Sequence, residues 1–301
     1  MRTEGSIDPA VIVERAGRLG FHERDLDDLR VFLDELPAGG GWRTELAGYL
    51  DRLRAGIGRL AVDGPDPWAD RSDARDDGRL SVLALLVVAP EAVAFQVGRG
   101  VPEGEAWRNL SDLGQQVWVH RLVYGRFGLH NQDWLRIVWA GGFAWLGRLQ
   151  FNLQWLPGDE WVLSTHIPRR SPEGSGALTP AAVDDSFAWA ARFYADHFSD
   201  LPTTDFWCHS WLLAPELAAA LPGSNIAAFQ QRWALDEHVQ DGDDDAVYFT
   251  FARQAPYQVD RLPQTTSLER AVVARLGRGL HWTLRRGRIP RADFSGDQPL
   301  R

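Results

Sequence analysis

Two histidines, one cysteine and a pair of arginines stand in a pattern that can do chemistry. His166 lies in WVLSTHIP, residues 161–168, two positions after Ser164, so strand alternation sets both side chains on one face. Imidazole changes charge near neutral pH without help, which makes His166 the first candidate for a general base taking a proton from an amine. His209, in DFWCHSWLL at residues 205–213, is the second; there Cys208 and Ser210 share one face and His209 takes the other. Arg169 and Arg170 follow Pro168, and Gly174, Ser175 and Gly176 come soon after. Small residues let backbone N–H groups approach a ligand, and the helix opened by Thr179 and Pro180 brings its N-terminus to the same stretch. That combination suits an anion such as a phosphate. On residue types alone the segment also serves as an ordinary strand-to-helix connection, and His166 as a partner for the turn at Pro168.

Other reactive types point elsewhere. Cys208 reads as a small buried strand residue rather than a nucleophile, because nothing beside it in sequence activates a thiolate. One cysteine and scattered histidines give no zinc spacing. DGDDD, residues 241–245, imitates a calcium loop but lacks the later acidic ligand, so it reads as a solvated turn. No metal is expected.

The elements that must position these residues follow from periodicity. Residues 161–168 form a strand that Pro168 ends, and residues 180–198 form a helix with Val183, Phe187, Ala190, Ala191, Tyr194 and Phe198 on its buried face. Upstream, FAWLGRLQFNLQW at 143–155 alternates as one long half-buried strand, and WLRIVWA at 134–140 reads as another, with hairpin joins at Gly141-Gly142 and at 157–159. Downstream, residues 205–213 and 246–252 read as strands, and 224–233 as a helix capped by Ser224. Before residue 125 the pattern is helical: stripes of Leu, Phe, Trp and Ile run through residues 8–60, an apolar helix at 80–96 is interrupted near Pro90, and one further helix spans 103–124. Residues 63–79 read as an exposed loop. The arginines from Arg275 to Arg291 read as a solvated basic tail, or else as a patch that attracts the phosphates of an acidic ligand.

Composition sets the class. The chain has 301 residues, 45% of them hydrophobic, enough for a sizeable core in one large or two ordinary domains. A net charge of −9 argues against a general nucleic-acid binder. A lone cysteine is compatible with a reducing compartment, the N-terminus has no apolar signal region, and the apolar run at 80–89 is too short to span a bilayer. The expectation is a cytoplasmic protein with no membrane and no nucleic-acid partner. Oligomeric state is not legible. The 14 tryptophans include Trp145, Trp155, Trp161, Trp207 and Trp211 in or beside the strands, where some can line an apolar pocket.

With these segments in place, the chain resembles the GNAT-type N-acyltransferases, specifically the actinobacterial-looking proteins that join a helical N-acyltransferase N-terminal domain to a GNAT-like C-terminal domain. The resemblance covers both halves and rests on LGRLQFNLQ (146–154), THIPRRSPEGSGALTP (165–180), CHSWLL (208–213) and LPGSNIAAFQQRW (221–233). It implies an α+β fold: a helical domain at residues 1–125, then at 126–301 a mixed, mainly antiparallel sheet flanked by helices. It further implies that acyl-coenzyme A lies between two splayed strands, 161–168 and 205–213. The pantetheine would pair with the first strand's backbone around Thr165 and Ile167. The pyrophosphate would sit on Arg169, Arg170, Gly174, Ser175, Gly176 and the helix N-terminus at Thr179, and Asn225 and Ala228 match an Asn-x-x-Ala spacing. Two departures stand out: Ser171 occupies the place where the family's loop begins with Gln or Arg, and Arg232 stands where many relatives carry a Tyr that protonates the leaving thiolate. The implied activity is transfer of an acyl group, in the first instance acetyl, from coenzyme A to an amine on a small molecule or peptide. The missing Tyr keeps a second reading open, a catalytically silent acyl-coenzyme A-binding or sensing module.

Overall fold

The computed structural model describes residues 7–37, 39–61, 77–158, 160–170 and 177–294. The chain divides into two compact units, Met1–Ala144 and Trp145–Arg301.

In the first unit the described helices are α1 (Pro9–Arg18), α2 (Glu23–Glu35), α3 (Trp42–Gly56), α4 (Arg79–Gly98), α5 (Glu103–Asn109), α6 (Asp112–Tyr124) and α7 (Gln132–Ile137), followed by a wide turn at Val138–Gly142. Asp8 caps α1 by accepting from the Ala10 amide, with Pro9 at the first helical position, where its missing N–H costs nothing. Helix α4 is apolar on all sides and therefore has to be enclosed; Val82 to Leu86, Val88 and Ala89 are fully buried. Among the described residues it is the one helix long and apolar enough to cross a membrane, but most of its surface is buried within the protein. Its far end is fixed by Gln96, which donates to the Gly141 and Phe143 carbonyls and accepts from Asn109.

The expected interruption of α4 at Pro90 does not occur. Proline leaves the carbonyl four residues earlier, Leu86, without its helical donor. The Arg15 guanidinium supplies that donor, reaching the Leu86 carbonyl at 3.2 Å and the Val87 carbonyl at 3.4 Å. The single helix expected over 103–124 is instead two, α5 and α6. The strand expected at 134–140 is α7 and the turn after it, where the Trp139 indole donates to the Leu85 carbonyl. Short apolar runs do not distinguish the two structures by period.

A histidine pair lies in α6 and the loop behind it. His120 is 3% exposed and its Nδ1 lies 3.2 Å from His130 Nδ1, so only one of the two nitrogens can carry a proton. Burial lowers the His120 pKa to about 4, assisted by His130, Arg126 and Arg121 and opposed by Asp77.

The second unit is built on a six-stranded sheet in the order β1-β2-β3-β4-β6-β5. The strands are β1 (Phe143–Leu146), β2 (Leu149–Leu156), β3 (Glu160–His166), β4 (Thr203–Ser210), β5 (Ala234–Asp241) and β6 (Thr283–Pro290), and β1 begins just before the boundary between the units. The helices are α8 (Pro180–His197), α9 (Pro215–Ala220), α10 (Asn225–Gln230), α11 (Asp243–Phe251) and α12 (Ser267–Leu276). The long strand expected at 143–155 is broken into β1 and β2 at Gly147, which has φ +67 and sits where a Cβ would come within 2.9 Å of Ser186 Oγ. Strands β2 and β3, β4 and β6, and β5 and β6 pair antiparallel, whereas β3 and β4 run parallel. One face of the sheet is apolar: Phe151, Leu163 and Phe206 are fully buried on it, and Phe151 and Phe206 meet Phe187 of α8, with ring centroids 4.7 Å apart for Phe187 and Phe206.

Residues 246–251 belong to α11, with Ala252 as its left-handed C-cap, and not to a strand: Asp243, Asp244 and Asp245 occupy its first turn, where carboxylates favour a helix N-terminus, so the acidic run is a helix start and not a solvated turn. The arginines at 285, 286 and 288 are not in a solvated tail. They lie in β6, between β4 and β5.

Arg15→Met should lower the stability of the helical unit by about 1–3 kcal/mol, the cost of a buried acceptor left unsatisfied, in denaturant unfolding. In a Pro90→Ala background, which restores the missing N–H, the same change should cost measurably less, and equal costs would disconnect Arg15 from the proline. For His120 the folded pKa lies below the ordinary 6.5, so its neutral form contributes stability that is full above 6.5 and drains as pH falls toward 4. Melting temperature should therefore drop more steeply over that window in the parent than in His120→Gln.

Candidate active site

The site begins where two strands part. Strands β3 and β4 are paired at Trp161 with Thr203, Leu163 with Phe206 and Ser164 with Trp207, with a bulge after the first pair. Past Ser164 and Trp207 the ladder between them stops, and each strand continues along its other neighbour. Thr165 and His166 lie opposite Phe151 and Gln150 of β2, while Cys208, His209 and Ser210 lie opposite Gly287, Arg286 and Arg285 of β6. The sheet is therefore closed at one end of the parallel pair and opens toward the C-terminal ends of both strands.

Register assigns the faces. Partners directly opposite each other share a face, so Asn152, Ser164, Trp207 and Arg288 form one row across the sheet, and Gln150, His166, His209 and Arg286 form the next. Alternation along each strand separates His209 from Cys208, but only the register shows that His209 shares its face with His166. At the closed end of this polar face Arg288 pairs with Glu160 and Asp205. At the open end the two histidines stand on the strands that part.

His166 is half-buried, and its Nε2 lies 2.7 Å from Asn152 Oδ1 and 3.2 Å from Ser164 Oγ. Loss of solvent lowers its pKa to about 4. The expectation that it titrates near neutrality is thus corrected: the imidazole is already neutral well below pH 7 because its surroundings penalise the cation. His209 is also half-buried and its pKa is lowered, first by burial and then by His238 and Arg286, with Asp236 acting the other way. Its ring stands 5.7 Å from that of His238, and its Nε2 is buried without a hydrogen-bond partner among the described residues. Cys208 is fully buried on the apolar face and burial raises its thiol pKa far above the ordinary value, which removes it as a nucleophile.

The residues expected around an anion are placed as follows. Thr165 is buried on the apolar face, its hydroxyl turned to the Leu163 carbonyl, and Ile167 is half-buried just past the strand end. Arg169 donates to the Tyr248 and Phe249 carbonyls at the end of α11, and Arg170 is exposed. Thr179 caps α8 by accepting from the Ala182 amide. Asn225 is exposed at the first position of α10, behind the Ser224 cap. Gly174, Ser175 and Gly176, with Ser171, lie outside the described residues.

Three residues position this region, and the sequence singles out only Arg232 among them. Asn152, opposite Ser164 on β2, brings its Oδ1 to His166. Arg148, following Gly147 in the β1–β2 turn, donates from its guanidinium to the Pro168 carbonyl and from its amide to Ser186 Oγ, tying the end of β3 and α8 to the turn. Arg232 is held by Asp184 through two hydrogen bonds and also donates to the Pro180 carbonyl, so it joins the end of α10 to the first turn of α8. A cation committed in this way cannot take the place of a phenol that protonates a thiolate. Among the described residues no three His, Cys, Asp or Glu side chains gather as a metal site.

Comparison with known proteins supplies the family. The model of the N-acyltransferase N-terminal domain matches residues 11–141, and that of the GNAT-like C-terminal domain matches residues 143–289. Among solved structures, an acyltransferase mutant in complex with octanoyl-CoA is 31% identical, over 92% of this chain and 86% of its own, with a TM-score of 0.77. An acyltransferase in complex with decanoyl-CoA is 32% identical over the same shares, with a TM-score of 0.76. A third, in complex with CoA and 10C-teicoplanin, is 30% identical over 94% of this chain and 99% of its own, with a TM-score of 0.69. No match is found among curated proteins. The two domain matches lie side by side along the chain, and the relatives align over nearly all of it, so the chain belongs to the GNAT-type N-acyltransferases, enzymes that transfer an acyl group from coenzyme A.

Proposed function

We propose that the protein moves a medium-length fatty acyl group from coenzyme A to an amine on a bulky, glycopeptide-like acceptor, with His166 taking the amine proton. The observation that carries the reading is the parting of β3 and β4 immediately beside a neutral, half-buried imidazole. An extended pantetheine arm fits such an opening because one separated strand edge offers it a ladder, here the β3 backbone around Thr165 and Ile167. Arg169, Arg170, the 174–176 stretch and the α8 N-terminus at Thr179 follow β3 in sequence and suit the pyrophosphate, with Asn225 of α10 as a further contact.

In this scheme the amine nitrogen attacks the thioester carbonyl. The new N–C bond forms as the C–S bond breaks, backbone N–H groups stabilise the oxyanion, and His166 accepts the proton and returns it to the coenzyme A thiolate. Arg232 being fixed to Asp184, the same imidazole serves both transfers. The chain length and acceptor class rest on relatives crystallised with octanoyl-CoA, decanoyl-CoA and teicoplanin.

His166→Gln should lower kcat by about a hundredfold to ten-thousandfold, the usual contribution of a positioned base, while calorimetry shows coenzyme A affinity nearly unchanged. In the parent, the limb of the pH–rate profile that belongs to His166 should lie below 6.5 and toward 4, since protonating the base removes it, apart from the limb set by protonation of the acceptor amine itself; undiminished turnover in His166→Gln would sink the assignment. In a series of acetyl-, octanoyl- and decanoyl-CoA assayed with a glycopeptide amine, kcat/KM should rise with chain length. Fastest transfer from acetyl-CoA would return the donor to acetyl.

A further inference from the structure

We propose that Asn152 is a positioning residue that holds His166 as the Nε2–H tautomer, so that the basic lone pair lies on Nδ1. The inference deepens the reading of His166 as the base and rests on it. Asn152 stands opposite Ser164 in the β2–β3 ladder and is 4% exposed, so water does not compete for its amide. Its Nδ2 donates to the Leu153 carbonyl at 2.8 Å, which turns Oδ1, an acceptor only, toward the imidazole. An acceptor 2.7 Å from Nε2 requires that nitrogen to be the donor. Ser164 Oγ, in a residue 2% exposed, lies on the same nitrogen and adds a second polar neighbour without competing for Nδ1.

The choice of an amide has a chemical consequence. A carboxylate at this place would favour the imidazolium, as a nearby opposite charge does, and would hold the proton the base has to pass on. A neutral amide orients the ring while leaving it uncharged. Outer partners of this kind fix both tautomer and ring orientation at metal-bound histidines, where their loss costs about tenfold to a hundredfold.

The test uses the full-length protein with 15N-labelled histidine. Long-range 15N–1H spectra should show His166 protonated at Nε2 in the parent. Asn152→Leu should mix the tautomers and lower kcat by about tenfold to a hundredfold with little change in KM for decanoyl-CoA. Asn152→Asp, which keeps an oxygen in place, should retain the Nε2–H tautomer and move the acid limb of the pH–rate profile upward by about one unit or more. A parent His166 protonated at Nδ1, or an Asn152→Asp profile that does not move, would overturn the proposal. The two readings separate cleanly: full turnover in His166→Gln alongside an Asn152-dependent tautomer removes the base and leaves the positioning in place. If Asn152→Leu does not fold, the parent tautomer and the Asp profile decide.

Discussion

The parallel pairing of β3 with β4 is the constraint from which the rest of the second unit follows. Antiparallel neighbours can be joined by a tight turn, but parallel strands need a crossover that returns the chain to its starting edge. The stretch after His166 and helix α8 make that return. A crossover of this form starts at the C-terminal end of its first strand, so the α8 N-terminus follows the place where β3 and β4 part. The opening, the imidazole and the positive end of a helix dipole thus come from one topological choice.

The sheet divides its labour between faces. Phe151, Phe206 and Phe187 give the apolar side the close aromatic packing that orders the strands. The other side carries amides, a hydroxyl, histidines and arginines in register across strands. Arg288, with Glu160 and Asp205, draws β6, β3 and β4 together at the closed end, although the partial exposure of all three limits what that network adds to stability. Arg232 does a structural job at the same end of the unit: a guanidinium clamped to Asp184 links the end of α10 to α8.

Much of this was legible in the residues, and the failures share physical causes. A strand before Pro168, though ending two residues earlier at His166, the Thr179 and Ser224 caps and the buried face of α8 are readable because local rules and the final contacts agree there. Residues 134–140 and 246–252 misled because aromatic and β-branched runs suit a strand locally, whereas their surroundings enclose them as helix and turn. β5 and β6 were missed for the opposite reason: β5 is an edge strand with little burial, and β6 carries arginines whose partners come from distant segments. Spacing placed His166 and Ser164 on one face, but the pKa depression and the Asn152 contact depend on burial and on β2, neither of which alternation along β3 contains.

The position of β6 has a bearing on how the protein is made. It follows every other strand in sequence yet lies between β4 and β5, so during vectorial synthesis β5 leaves the ribosome with no sheet neighbour and β4 with one edge bare. Until residues 283–290 arrive, the nascent sheet presents an open edge of the kind other chains can join. The arginines of β6 enter last, into a gap flanked by Glu160, Asp205 and Asp236, so charge can guide the closing strand into register before its apolar residues pack.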